Sequence, residues 1–499
     1  MSFPFDQLET MNVEITRLVT DSRKVQAGDT FIAYPGEQSD GRAHIDEAIA
    51  RGANAVIWEQ FDFVWSDKWQ VANLGVTDLR HKVGWLANSV YETPSEKLWV
   101  VGVTGTNGKT STSHWIAHAL NDAGRKCALI GTLGNGFTNE LQSTINTTPD
   151  AVRIHSLLAE YLNRDAQAVT MEVSSHALSQ DRVNGVHFDV AMLTNLSRDH
   201  LDYHGDMQSY ADAKRKLFDW DHLKYAVLNF DDAYGVALSE QLQDAPVEVI
   251  GYGLTDASLR HAENLGVRMV YGSILEMHGG GLKISVHSSW GAAQIDSGLL
   301  GRFNATNLLG SLAVLLVSEV ELDDAVRSLG GVEPVAGRME RVGGGPQPTV
   351  IVDYAHTPDA LEKVLLTLRE TNKESGILLC VFGCGGDRDQ GKRPLMGLVA
   401  EKYSDFCIVT SDNPRSEDPQ AIIAEIVGGM SGENHEIIVD RTDAIQQVIK
   451  RAKQGDIVLI AGKGHEEFQE ILGVRYPFSD IKLARQTLGS VQNAVEVST

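Results

Sequence analysis

The stretch LWVVGVTGTNGKTS, residues 98–111, decides how this chain is read. Leu98–Thr104 is a short apolar, β-branched run of the kind that forms a buried strand. It passes directly into Gly105-Thr106-Asn107-Gly108-Lys109-Thr110-Ser111, and then into a helical pattern over 110–123. Glycines let the backbone wrap closely enough for several N–H groups to face one phosphate, and the helix N-terminus adds partial positive charge. Lys109 is placed to lie along the β- and γ-phosphates of a nucleotide, and the Thr110 hydroxyl to take Mg2+. The strict phosphate-loop pattern has a glycine five positions before Gly108; Val103 stands there, so the loop is a variant.

The same rhythm continues on either side. Ala128–Ile130, Ala168–Met171, Val190–Thr194 and Ala226–Leu228 read as strands, separated by helical patterns around 150–163 and 208–218. Further on, Thr349–Val352, Ile377–Phe382, Phe406–Thr410, Ile437–Val439 and Ile457–Ile460 alternate with helical patterns such as 358–371 and 442–453. Such alternation predicts a parallel sheet with helices on both faces, and ligands beyond the carboxyl ends of the strands. The segments there are DYAHTPD, GCGGDRD, SDNPR and AGKGHE, richer in glycine and charge than a plain connection needs. Proline and glycine mark boundaries at Tyr91–Lys97 and Gly330–Pro348. The expected class is α/β with three domains. A small mixed α/β domain takes 1–95. A central ATPase domain of the phosphate-loop type, with a mostly parallel sheet, takes 96–336. A doubly wound, Rossmann-like domain takes 337–499.

Composition narrows the function classes. A formal net charge of −24 on 499 residues argues against a nucleic-acid or anionic-membrane surface, so positive charge for anionic ligands must be local. Cys127, Cys380, Cys384 and Cys407 are few and irregularly spaced, which points to a reduced compartment and away from a zinc site. MSFPFDQLET lacks a signal-peptide pattern, and the longest apolar run, Leu308–Val317, is too short to span a bilayer. A cytoplasmic chain without membrane insertion is expected.

A phosphoryl-transfer site needs oxygen ligands for its metal. Glu172 ends one strand, in Met-Glu-Val-Ser-Ser-His, and His200 follows another, in Asn-Leu-Ser-Arg-Asp-His; spacing alone makes neither a ligand. Lys214 is more telling. On a helix over 208–218, Tyr210, Leu217 and Phe218 define the apolar face, and Lys214 falls between Leu217 and Phe218 on it. An inward lysine must snorkel, pair, or be chemically altered.

These motifs stand in order with Thr20-Asp21-Ser22-Arg23-Lys24, Gly28-Asp29, Asn146-Thr147-Thr148, Asn195 to His204, Gly301-Arg302-Phe303-Asn304, Asn307 and Gly462-Lys463-Gly464-His465-Glu466. Together they resemble the Mur ligases from end to end, and within them the UDP-N-acetylmuramoyl-tripeptide synthetase branch. The resemblance implies an ATP-dependent ligase in peptidoglycan precursor synthesis. It would add meso-diaminopimelate to UDP-MurNAc-L-Ala-D-Glu through an acyl phosphate, as a monomer. It places Gly105, Thr106, Asn107, Gly108, Lys109, Thr110 and Ser111 around the phosphates of ATP, and Asn307, Arg338 and Asp353 around the adenosine. Ser22 with Glu37, Gln38 and Ser39 would hold the uridine end of the acceptor. Asn146, Thr147, Thr148, Ser174, Gln180 and Arg182 would hold its sugar-peptide arm. Lys109, Glu172, His200 and Lys214 would be catalytic. Mg2+ would sit on Thr110, Glu172, His200 and a CO2-derived carbamate on Lys214. Diaminopimelate would meet Arg388, Asp412, Asn413, Pro414, Arg415, Gly462 and Glu466. The Arg415 guanidinium suits a distal carboxylate, and Glu466 a distal ammonium. The rival amine is L-lysine, whose ammonium Arg415 would repel. A folylpolyglutamate-type ligase and a nucleotide-binding scaffold are the more distant alternatives.

Overall fold

A computed structural model describes residues 4–37, 39–371 and 376–497, with side chains through residue 490. Three sheets carry the chain. The first is four-stranded, in the order β1 (Leu18–Val19), β2 (Thr30–Ala33), β3 (Ala55–Glu59) and β4 (Ala72–Val76). Its pairs are all parallel. The helix Leu79–Val90 buries Leu79, Val83 and Leu86 in this domain's core.

The central sheet has ten strands. They are β5 (Trp99–Thr104), β6 (Cys127–Gly131), β7 (Gly134–Phe137), β8 (Ala168–Glu172), β9 (Val190–Leu193), β10 (Tyr225–Asn229), β11 (Glu248–Gly253), β12 (Arg268–His278), β13 (Gly281–Ser288) and β14 (Gly291–Ser297). The spatial order is β14-β13-β12-β11-β10-β9-β5-β8-β6-β7. The run from β12 to β6 is parallel, and β7, β13 and β14 add antiparallel edges. The strands read from sequence reappear within a residue or two. The β12–β14 meander was not among them. It buries Leu282, Ile284 and Val286 in alternation, the mark of a sheet with one solvated face. The apolar run Leu308–Val317 lies inside the helix Arg302–Val317, buried on nearly every side as a core helix should be.

One expected helix is shorter than its apolar pattern. The stretch 208–218 is helical only over Met207–Arg215. Leu217 N–H and Phe218 N–H bond back to the Lys214 and Arg215 carbonyls, a tightened three-residue step that turns the chain out of the helix. Lys214 nevertheless points inward and is 1% exposed.

The third sheet comprises β15 (Glu340–Gly343), β16 (Thr349–Asp353), β17 (Leu378–Phe382), β18 (Phe406–Val409), β19 (His435–Ile437) and β20 (Ile457–Ala461), in the order β15-β16-β20-β17-β18-β19. Only β15 is antiparallel to its neighbour. A small hairpin, β21 (Phe468–Ile471) and β22 (Val474–Pro477), follows. All four cysteines are free and buried. Among the described residues, no helix is long and apolar enough to cross a membrane.

Among the described residues of this domain, one ion pair is fully buried. Arg441 and Asp480 are both 0% exposed, and two bonds of 2.9 and 2.8 Å join guanidinium to carboxylate. Arg441 also donates to the Ala461 carbonyl at the end of β20. Removing one partner strands a buried charge. Asp480→Ala should therefore cost about 3–5 kcal/mol, read as a lower denaturant midpoint of the C-terminal transition. An unchanged midpoint would contradict this account of the pair.

Candidate active site

Strand register assembles the centre of the site. β5 lies between β8 and β9, with Val103 opposite Glu172 and Thr104 opposite Leu193. Three connections therefore leave one sheet edge side by side. Gly105 and Gly108 have φ of +141° and +87°, and a Cβ on Gly105 would overlap the Thr194 hydroxyl. Only glycine fits at that position. Thr194 Oγ1 and Asn195 Nδ2 donate to the Asn107 carbonyl, and Asn107 N–H donates to Asn195 Oδ1. Thr106 Oγ1 lies 3.2 Å from the Tyr210 hydroxyl. The phosphate loop is thus fixed by its neighbours before any ligand arrives. Lys109 Nζ donates to the Gly105 and Thr106 carbonyls, 2.9 Å each, and burial lowers its pKa.

Glu172 is fully buried at the end of β8. Its carboxylate accepts from Thr110 Oγ1 at 2.9 Å, Thr132 N at 2.8 Å and Thr132 Oγ1 at 3.1 Å. These donors are neutral, and among the described residues no cation lies within ion-pair distance of Glu172. A buried carboxylate beside a hydroxyl is a hard-oxygen donor set that fits Mg2+. His200 has φ +55° and packs edge-on against His176, ring centroids 4.8 Å apart. Burial pushes its pKa down to about 2, so the imidazole is neutral, as a ligand must be. Among the described residues, no three His, Cys, Asp or Glu side chains form a metal cage by themselves. The set expected from the sequence therefore depends on Thr110 and Lys214. Lys214 Nζ donates to the Gly105 carbonyl at 2.8 Å, the same oxygen that Lys109 uses, and lies over the Tyr210 ring. Burial, and after it the nearby Lys109, hold the Lys214 pKa well below the usual lysine range.

Thr106 to Ser111, Glu172, His200, Asn307, Arg338 and Asp353 line one cavity of about 530 Å3. The three residues expected around adenosine thus share it with the phosphate loop. Asp353 accepts from Met339 N and Ala355 N at 2.7 Å each, and burial raises its pKa. Arg338 stacks over Tyr354 at 4.2 Å and reaches Thr110 Oγ1 at 3.3 Å. Asn307 sets its carboxamide against Gly108.

Beside this cavity the expected peptide-arm residues form a chain of contacts. Ser174 N donates to Thr148 Oγ1 at 3.0 Å, Arg182 Nη1 donates to the Thr148 carbonyl at 3.0 Å, and Arg182 Nη2 donates to Gln180 Oε1. Thr147 Oγ1 lies 3.1 Å from Thr132 Oγ1, while Asn146 is exposed. The N-terminal candidates are less united. Ser22 donates to Glu47, Glu37 pairs with Arg80, and Ser39 lies 3.4 Å from His44. Gln38 lies outside the described residues.

The C-terminal loops face the central domain. Lys463, 0% exposed, donates to Asn413 Oδ1 and Glu466 Oε2, 2.9 Å each, and Asn413 Nδ2 donates to the same Glu466 oxygen. Asp412 lies against Gly462, whose φ is +117°. Arg415 follows Pro414 with φ +51°, and its Nη1 donates to the Gly386 carbonyl at 2.7 Å. Arg388 is exposed. Besides the Arg338–Thr110 bond, side-chain contacts join the central and C-terminal domains. Arg198 pairs bidentately with Asp389, Asn107 Nδ2 donates to Asp359, and Asp199 sits 3.5 Å from both His356 and Lys392. Burial alone would raise the Asp199 pKa, but His356, Lys392 and His200 hold it well below the carboxylate range. Sequence reasoning did not single out Arg198, Asp199, His356, Lys392 or Lys463 for a role, although most lie in the quoted motifs. Apart from Glu466, three residues beyond Lys463, the partners named here stand far along the chain, and no local pattern signals such pairs.

Comparison with known proteins agrees with this architecture. Residues 14–91 match the family described as Mur ligase family, catalytic domain; 103–315 match Mur ligase middle domain; and 337–464 match Mur ligase, glutamate ligase domain. A Chromobacterium violaceum protein named UDP-N-acetylmuramoyl-L-alanyl-D-glutamate--2,6-diaminopimelate ligase is 50% identical over 482 residues, covering 96% of each chain. A Pseudomonas aeruginosa protein of the same name is 46% identical and covers 95% of each. A solved structure bearing that ligase name aligns with a TM-score of 0.67 at 37% identity, covering 99% of this chain and 100% of that one. A Mycobacterium tuberculosis folylpolyglutamate synthase, at 18% identity and a TM-score of 0.57 over 75% of this chain and 91% of that one, shares the fold alone. With its three domains matched in order and half its residues shared along nearly the whole length of such a relative, the chain belongs to the Mur ligase family.

Proposed function

We infer that this chain is an ATP-dependent ligase that adds meso-diaminopimelate to UDP-MurNAc-L-Ala-D-Glu in peptidoglycan precursor synthesis. The observation that carries this reading is the identity, 44–50%, to relatives bearing that ligase name along nearly their whole length. The phosphate loop and the C-terminal loops facing it support the chemistry.

A carboxylate does not acylate an amine near neutrality, because oxide is its leaving group. Transfer of the ATP γ-phosphoryl group to the D-glutamate side-chain carboxylate gives an acyl phosphate and ADP. The amine of diaminopimelate attacks that carbonyl, and the tetrahedral intermediate collapses to the amide and phosphate, with loss of the amine proton. Lys109 and the loop N–H groups offset charge on the phosphoryl group in flight. Mg2+ held by Thr110, Glu172 and His200 would supply the remaining positive charge. Thr148, Ser174, Gln180 and Arg182 hold the acceptor arm, and closure of the C-terminal domain over the site would keep water from the acyl phosphate.

Lys214 and Lys109 share one carbonyl oxygen in a buried place, an arrangement that favours loss of one charge. A neutral Lys214 amine can add CO2, which turns a buried cation into an anionic oxygen ligand facing Lys109. Isotopically labelled bicarbonate should then give a carbamate carbon resonance in the protein that is absent from Lys214→Ala. A spectrum identical for both proteins would rule out that carbamate.

Arg415 selects the amine. Its guanidinium matches the distal carboxylate of meso-diaminopimelate and repels the ammonium of L-lysine. Glu466 shares one oxygen with Lys463 and Asn413, so a distal ammonium meets it as part of a neutral pair. We take residues 1–95, 96–336 and 337–499 as the acceptor-binding, ATP-binding and amino-acid-binding units of a monomeric, cytoplasmic enzyme.

Phosphate release from ATP tests the function directly. With Mg2+, bicarbonate and UDP-MurNAc-L-Ala-D-Glu, release should follow addition of meso-diaminopimelate and not of L-lysine. Release with lysine alone would overturn the amine assignment, and release independent of both would point to a plain ATPase. Arg415→Ala should lose most diaminopimelate turnover, about tenfold or more in kcat/KM, while nucleotide binding survives. Unchanged turnover would remove Arg415 from the pocket.

A further inference from the structure

Arg393 is a guanidinium with no expected role. Its side chain is 0% exposed at the first turn of the helix Arg393–Tyr403. A cation at a helix N-terminus is electrostatically disfavoured, and a buried ion pair is weak evidence of stability in itself. Its contacts suggest another purpose. Nη1 and Nη2 bind the two Glu417 oxygens at 2.8 Å each, and Nη2 also donates to the Gly385 carbonyl at 3.3 Å. Nη1 further binds Glu425 at 2.9 Å.

Gly385 and Glu417 belong to the two loops that carry Arg388 and Arg415. The loops are stitched together around that fork. Asp387 N donates to Glu417 Oε1 at 2.6 Å, Ser416 Oγ and N donate to the Asp387 carboxylate, and Gly386 N donates to the Asn413 carbonyl. A Cβ on Gly385 would lie 2.8 Å from Arg415 Nη1 and 3.9 Å from Arg388 Cγ, so both arginines adjoin the same backbone. Asp387 and Arg415 each hold a positive φ, 53° and 51°, a conformation such residues keep only when their surroundings enforce it.

We propose that Arg393, through Glu417, is the positioning residue of the amino-acid pocket: it sets the relative placement of the Arg388 and Arg415 guanidiniums and so the preference for a substrate with a distal carboxylate. This inference rests on the function proposed above. A bidentate arginine fork fixes distance and angle together, which a lysine cannot do. Glu425 pairs with the same guanidinium but touches neither loop, and so provides an internal comparison.

The test uses the full chain and steady-state kinetics with each substrate varied in turn, together with unfolding midpoints. Glu417→Gln and Arg393→Lys should raise the KM for meso-diaminopimelate about tenfold, with KM for ATP and for the UDP-linked acceptor held within about twofold. Glu425→Gln removes a single bond to the same guanidinium and should leave the diaminopimelate KM unchanged. An unchanged diaminopimelate KM in Glu417→Gln overturns the proposal. So does a parallel rise of all three KM values in Glu417→Gln and Glu425→Gln alike, which is what a purely structural pair would give. If the unaltered chain shows no diaminopimelate-dependent phosphate release, the proposed function fails and this inference with it. If the unaltered chain is active and only the variants behave otherwise, this inference alone fails.

Discussion

The parallel pairing of β5 between β8 and β9 is the constraint from which the site follows. Parallel strands in register end on the same edge, and here those ends are the phosphate loop, Glu172 and the segment 194–200. No helix or loop has to reach across the molecule to join them. The close approach of Gly105 to Thr194 then leaves no room for a side chain, and the Gly105 carbonyl becomes a common acceptor for two lysines. The same geometry, repeated in the third sheet, delivers the loops after β16, β17, β18 and β20 to the facing edge. The cleft between these two edges is where ligands of doubly wound folds are held.

An acidic chain that handles anionic substrates has to place its cations individually. Lys109, Lys214, Arg393, Arg441 and Lys463 are each largely or wholly withdrawn from solvent, and each has a defined partner. Burying a cation is costly unless it is paired and hydrogen-bonded, so these positions are geometrically demanding ones. Asp199 plays the converse part. It belongs to the central domain, yet His356 and Lys392 of the C-terminal domain meet it, and Arg198 next to it grips Asp389. These contacts between the two domains therefore gather in one patch beside the loop after β17.

The parts of this arrangement that were legible in the sequence are those set by local periodicity and turn chemistry. Strands buried over most of their length, such as β5 and β16, are short runs rich in β-branched residues. Lys214 could be placed inward from helical spacing alone, even though its helix stops at Arg215. The N-terminal sheet was harder to see because β1 has two residues and β4 is only partly buried. The β12–β14 meander has polar residues at alternate positions that dilute its apolar signal. Lys463 and Arg393 look like ordinary loop and helix cations in sequence, since burial depends on partners such as Glu417 and Asn413 that only the fold brings near. The motif resemblance to the Mur ligases named residues that periodicity could not, among them Asn307, Arg338 and Arg182.

The central claim is that ATP activates the acceptor's carboxylate by phosphorylating it. The most direct measurement is to label the oxygens of the D-glutamate side-chain carboxylate in UDP-MurNAc-L-Ala-D-Glu and follow the label by mass spectrometry. An acyl-phosphate route predicts one labelled oxygen in the released inorganic phosphate for each amide formed, and one retained in the product. Unlabelled phosphate, with both labels kept in the acceptor, would mean that water takes the phosphoryl group, and would contradict the account.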